Sequence, residues 1–233
     1  MTERGMIFNG EMVRAIIDGR KTQTRRIVKG TDGAVKFCKE WDINGEEIFV
    51  VLGEKDHTGM NPVLGAISCP FGGVGDRIWV RETWSDVNLE GIPAVAYRAD
   101  GDVYSLMDDE SFLDEDGAFN YDDPRVTKYH FAAWYSDLIG GIEGDWRPSI
   151  HMPRWASRIL LEITDIRVER LASMSDEDAG KEGYPADPSP FGGPMDKWLW
   201  FRQLWDGIYP EQSFKHNPWV WVIEFKRIEG ADK

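Results

Sequence analysis

Long apolar runs are missing from this sequence. No stretch of about 18 apolar residues occurs, which excludes a membrane-spanning helix. No long apolar run follows the first residues either, so no secretion signal is expected. Cysteine is scarce: the two thiols, Cys38 and Cys69, make no disulfide framework and fit a reducing, cytoplasmic setting. Cys38, His57 and Cys69 match no common zinc spacing, so neither a metal nor a cofactor is expected. His151 and His216 have no evident partner and read as structural. Net positive charge is absent as well. The 27 basic residues stand against 41 acidic ones, a balance of −14. Polyanion affinity comes from Lys and Arg neutralising phosphates, so no groove for long duplex DNA is expected.

Nucleotide-binding fingerprints are also lacking. The glycines at 72, 73 and 75 do not follow the G-x-G-x-x-G spacing. They lead into a strand pattern, not a helix, and no P-loop lysine follows them. A tight turn before a strand is the simpler role. No internal repeat or low-complexity tract is present.

What the sequence does carry is concentrated at residues 19–26, Gly-Arg-Lys-Thr-Gln-Thr-Arg-Arg. Apolar residues Met12, Val13, Ile16 and Ile17 precede it at helical spacing. Asn9 reads as the N-cap of that helix and Gly19 as its C-cap. The motif then offers an amine, two hydroxyls and three guanidiniums in a loop. Lys21 and Thr24 are suited to act as base and nucleophile, and the arginines can hold an anion. A solvated basic turn is the simpler alternative.

The remaining pattern is of short strands with a few helices. Residues 6–8, 48–52, 77–84, 94–98, 158–171 and 219–225 read as strands. Ile27 and Val28 read as a continuation into a strand, and residues 30–47 and 53–63 as loops. In 158–171 the alternation slips by one, which suggests a bulge near Thr164 and Asp165. Ser175-Asp176-Glu177-Asp178 resembles a capping box and opens a short helix ending at Gly183. A loop at 185–194 and a helix from 195 to 208 follow. That helix carries Trp198, Phe201, Leu204, Trp205 and Ile208 on one face. Residues 100–123 hold ten acidic residues and no Lys or Arg, and read as an exposed excursion. Most of the 11 tryptophans read as core. Trp84 and Trp155, in loop-like contexts, are candidates to stack on a base. The fold class expected is α+β, a small, partly open β-barrel with flanking helices.

Three stretches together resemble the ASCH domain, a PUA-like β-barrel family. The first is the helix followed by Gly19, Lys21, Thr24 and Arg26. The second runs from Leu161-Glu162-Ile163-Thr164 to Asp178-Ala179-Gly180-Lys181-Glu182-Gly183. The third is Tyr209-Pro210 followed by Trp221-Val222-Ile223-Glu224-Phe225-Lys226. The resemblance implies a single domain over residues 1–233 with insertions at about 30–75 and 84–156. Within that family the order of motifs is similar to small enzymes that hydrolyse N(4)-acetylcytidine. The segment Gly75-Asp76-Arg77-Ile78-Trp79-Val80-Arg81-Glu82-Thr83-Trp84 is similar to longer ASCH proteins of phages and prophages, which would place the chain in a host cytoplasm.

Carried over, the resemblance makes Lys21 the general base, Thr24 the nucleophile and Glu182 the proton donor of an amide hydrolysis. Arg25, Arg26, Arg81, Glu82 and Trp84 become candidates for holding a nucleoside or RNA-type ligand. Glu162 and Glu82 compete with Glu182 as the acid, and Arg26 paired with Glu82 is a structural alternative. Two further functions stay open: an RNA- or modified-nucleotide-binding module, and a nuclease on the same residues.

Overall fold

The computed structural model describes residues 1–186 and 196–228. It is an α+β protein dominated by sheet. In chain order the elements are β1 (Glu3–Ile7), α1 (Gly10–Ile17), β2 (Gln23–Ile27), β3 (Lys36–Trp41), β4 (Glu47–Leu52), β5 (Val63–Ile67), β6 (Arg77–Arg81), β7 (Trp84–Leu89), β8 (Ile92–Tyr97), β9 (Val103–Ser105), α2 (Tyr135–Gly140), β10 (Leu160–Arg170), α3 (Asp176–Lys181), α4 (Asp196–Ile208) and β11 (Trp219–Arg227). The strands form one five-stranded sheet in the order β1-β6-β10-β11-β2 and two three-stranded sheets, β3-β4-β5 and β7-β8-β9. Among the described residues no sheet closes into a barrel, and no helix is long and apolar enough to cross a membrane.

The chain divides into two compact units. Among the described residues one comprises 1–4, 15–78, 162–186 and 196–227, the other 5–14, 79–161 and 228. In the first unit β11 pairs antiparallel with β2, setting Val222 opposite Arg25 and Ile223 opposite Thr24. Val220, Val222 and Ile223 are fully buried, as expected of a strand apolar on both faces. Helix α4 lays Phe201 and Trp205 into a core with Leu171, Ala179 and Val220, and Trp198 and Leu204 pack at its edge. Ile208, expected on the same face, is exposed instead because it ends the helix. Met195 and most of the expected loop at 185–194 lie outside the described residues.

Three expectations are corrected by this unit and its partner. Residues 30–47 are not all loop, since β3 pairs with β4 in register from Lys36–Leu52 to Trp41–Glu47. Its half-exposed Lys-Phe-Cys-Lys-Glu-Trp sequence hides the usual apolar alternation. The basic motif is a strand from Gln23 onward, not a loop, because β11 supplies a pairing edge. The acidic segment 100–123 is anchored rather than a free excursion. Leu106, Phe112 and Phe119 drop into the second unit's core, each burial worth about 1.5–3 kcal/mol, while short Asx turns such as the one at Asp109 keep the carboxylates outside.

That second core also contains Trp84, Val95, Tyr97, Tyr129, Phe131 and Met152. The phase slip anticipated in 158–171 is visible in β10, where Ile163 and Ile166 are both buried and Thr164 between them is exposed.

Candidate functional site

The sequence around Lys21 is fixed from both sides. Asn9 caps α1 by accepting from the Met12 amide at 2.8 Å, and Gly19 ends the helix at φ 72°. The Arg20 and Lys21 amides both turn back to the Ala15 carbonyl, at 2.8 and 2.9 Å. Lys21 then forms a one-residue antiparallel bridge with Glu182, and the Thr22 amide donates to Lys181 at 2.9 Å. The residue after Glu182 has to be glycine. Gly183 sits at φ 101°, and a Cβ there would lie 2.8 Å from that of Ala15 and 3.2 Å from that of Lys21.

This close approach brings the Lys21 amine to 2.7 Å from Glu182 Oε2, and it also donates to the Glu182 carbonyl at 3.0 Å. Arg25 Nη1 donates to the other carboxylate oxygen at 3.0 Å. The Lys21 side chain is 0% exposed and that of Glu182 2%. Burial drives the Lys21 pKa below its ordinary value; the Glu182 carboxylate opposes that shift, and the Arg26 and Arg25 guanidiniums add to it.

Arg25 is itself held. Its second terminal nitrogen lies 3.7 Å from Glu169 and 3.8 Å from Asp178. Asp178 is the third residue of α3 and completes the capping box with Ser175. Arg167 ties Asp178 at 3.2 Å to Glu169 at 2.6 Å and Glu224 at 2.7 Å. The capping box is legible in the sequence. That its aspartate also braces Arg25, and that Arg167 joins the cluster, is not, because those contacts join β2, α3, β10 and β11.

Thr24 is fully buried on the neighbouring position of β2. Its hydroxyl accepts from Arg26 Nη1 at 2.9 Å. Among the described residues it makes no hydrogen bond to Lys21 or Glu182. The structure therefore joins Lys21, Glu182 and Arg25 directly and holds Thr24 with Arg26 one residue away.

The remaining candidates have other occupations. Glu82 is buried in a two-point ion pair with Arg158, at 3.0 and 3.1 Å. Arg158 also binds Asp100 and Asp102 and lies 4.0 Å from the centre of the Tyr97 ring. Burial raises the Glu82 pKa, with the Arg158 hydrogen bond opposing. The expected stacking role of Trp84 is corrected. It is 0% exposed, packed edge-on against Tyr129 and Trp155, and offers no face to a ligand. Trp155 packs against the same core. Arg81 donates to the Ile150 carbonyl and lies over the Trp79 ring. Glu162 pairs with Lys226 at 2.9 Å, near the surface. Among the described residues no group of three His, Cys, Asp or Glu side chains stands close enough to hold a metal ion.

Comparison of the chain with protein-family models, with curated proteins and with solved structures gives no match.

Proposed function

We propose that the chain hydrolyses an acylated exocyclic amine of a nucleoside or base, an N(4)-acetylcytidine-like amide, on a PUA-like scaffold. The observation that carries this reading is the buried Lys21–Glu182 pair. An amine and a carboxyl group in direct contact, both out of water, share one proton between them. With the proton on the carboxyl, Lys21 is a neutral base and Glu182 a proton donor.

The chemistry balances from that state. Thr24 Oγ attacks the acyl carbon as Lys21 takes its proton. Glu182 gives its proton to the leaving ring amine, which departs with the C–N bond electrons. The pair is left as ammonium and carboxylate. In the second half the carboxylate takes a proton from water, the resulting hydroxide attacks the threonine ester, and Lys21 returns a proton to Thr24 Oγ. Acetic acid leaves, ionising to acetate in water, and the pair is as it began. Arg26, already hydrogen-bonded to the threonine hydroxyl, stands where negative charge develops. Arg25 acts through Glu182 and is a positioning residue.

The test is turnover of N(4)-acetylcytidine by the purified chain and by Lys21→Ala, Thr24→Val and Glu182→Gln. Activity lost in all three supports the reading, and no activity in the unaltered chain sinks it. One observation favours a second reading, a module that binds a modified nucleotide without hydrolysing it: the Thr24 hydroxyl is bonded to Arg26 and not to Lys21. Binding of intact N(4)-acetylcytidine with no acetate released would select that reading.

A further inference from the structure

A cavity of about 660 Å³ opens at the far end of β2, where Ile27 and Val28 lead the chain into it. In a chain of net charge −14, its lining carries Lys29, Arg170 and His216 against the two carboxylates Asp32 and Glu54. The Arg170 guanidinium lies 4.2 Å from the centre of the Trp219 ring, which also lines the cavity. The stack is fixed in place: Arg170 donates to the Asn217 carbonyl at 3.1 Å, the Trp219 indole N–H donates to Ala34 at 3.1 Å, and Phe37 meets the indole edge-on at 4.9 Å. The lining also includes a turn through Gly30 and Gly33, at φ 71° and 76°. The backbone N–H groups of residues 30–33 make no hydrogen bond among the described residues. Successive unpaired amides in a turn with left-handed residues form a concavity suited to an anion.

We infer that this cavity binds the phosphate of a nucleotide. Lys29, Arg170 and the loop amides take the phosphate oxygens, and the Arg170–Trp219 stack stands beside the adjoining base. The phosphate assignment stands on the cavity alone. That the same ligand reaches the Lys21 site rests on the nucleoside reading given above. At about 3.3 Å per residue, β2 separates Val28 from Thr24 by about 13 Å, the distance that one phosphorylated ligand would span. The preferred substrate is then a nucleotide, either free or within an RNA strand, and a bare nucleoside such as N(4)-acetylcytidine is a weaker one.

Calorimetric binding to the full chain separates these cases. The probes are cytidine, cytidine 5′-monophosphate, inorganic phosphate and a short oligoribonucleotide. The variants are Lys29→Gln and Arg170→Gln. Lys29 is exposed, so its variant keeps the fold even if loss of the Arg170 stack does not. The monophosphate is expected to bind about tenfold tighter than cytidine, as lost charge-assisted hydrogen bonds of about 1.5 kcal/mol imply. Lys29→Gln and Arg170→Gln should remove most of that gain. An oligoribonucleotide that binds tighter still, with a salt-dependent affinity, identifies an RNA strand; equal affinity identifies the free nucleotide. A monophosphate no tighter than cytidine, or a gain that survives in Lys29→Gln, overturns the inference. Phosphate-dependent binding to which the nucleoside adds nothing keeps the cavity and removes the nucleoside reading instead.

Discussion

The Lys21 amine and the Glu182 carboxylate meet at 2.7 Å although 161 residues separate them in the chain. Neither side chain is open to water. Such a pair is costly to assemble and more costly to break, because removing one partner leaves the other's charge buried. Lys21→Met and Glu182→Leu are each expected to lower stability by about 3–5 kcal/mol, and the two combined by less than the sum. Urea unfolding of the three variants checks this. Additive losses would show that the two side chains do not interact.

The same burial gives the pH dependence of turnover. Lys21 loses its proton at lower pH than a free lysine, whose ordinary value is 10.5. If the neutral amine is the base, kcat/KM rises with pH along a limb that lies below 10.5. Lys21→Arg, which stays charged, should lose that limb and the activity with it. A limb at or above 10.5 would show that Lys21 is not the base.

Gly183→Ala tests the close approach that makes the pair. The new alanine would have to adopt φ 101°, and its methyl would lie 2.8 Å from the Ala15 Cβ. A loss of at least about 1 kcal/mol is expected, accompanied by displacement of Lys21 and reduced turnover. Wild-type stability together with wild-type turnover would show that the backbone at this position is not constrained as described.

Losing the brace on Arg25 is expected to act differently from losing Arg25. Ser175→Ala removes an N-cap contact to the Asp178 amide at 3.1 Å and should cost about 1 kcal/mol of stability. Asp178→Asn retains the size of the side chain but weakens its hold on Arg25 and Arg167. It should lower kcat more than it raises KM and shift the pH profile, whereas a purely structural role would leave the profile where it is.

The two thiols should react at different rates. Burial pushes the Cys69 thiol up to about 11, with the Phe71 and Gly72 amides opposing, while Cys38 is partly exposed. A disulfide reagent at pH 8 is expected to titrate one thiol rapidly, lost in Cys38→Ala, and the second only on unfolding. The sign for stability follows from the raised value. The folded chain holds the Cys69 proton more tightly, so stability falls as pH climbs from 9.0 towards about 11. Cys69→Ala should lack that decline in a pH series of thermal melts.

Local chemistry was legible in the sequence where one segment decides its own structure. The Asn9 cap, the Gly19 stop and the Ser175–Asp178 box form as their residues dictate, because each depends on partners within a few positions, and the doubly apolar β11 is legible because its own residues are apolar on both faces. Lys21, Thr24 and Glu182 could be singled out by their motifs, but their contacts could not. Whether Thr24 faces Lys21 or Arg26 depends on how β2 pairs with β11, and Arg25 is committed to Glu182 only because α3 is packed there. Trp84 in a loop-like context and the acidic segment 100–123 both looked exposed, yet each contributes to a core assembled from distant parts of the chain. The β3–β4 hairpin was hidden for the same reason, since its half-exposed residues are held as strands by pairing and not by pattern. Composition and short-range capping settle where helices begin and end and which side chains are available. Burial and ion pairing are decided by residues far apart in sequence, and only the tertiary structure brings those together.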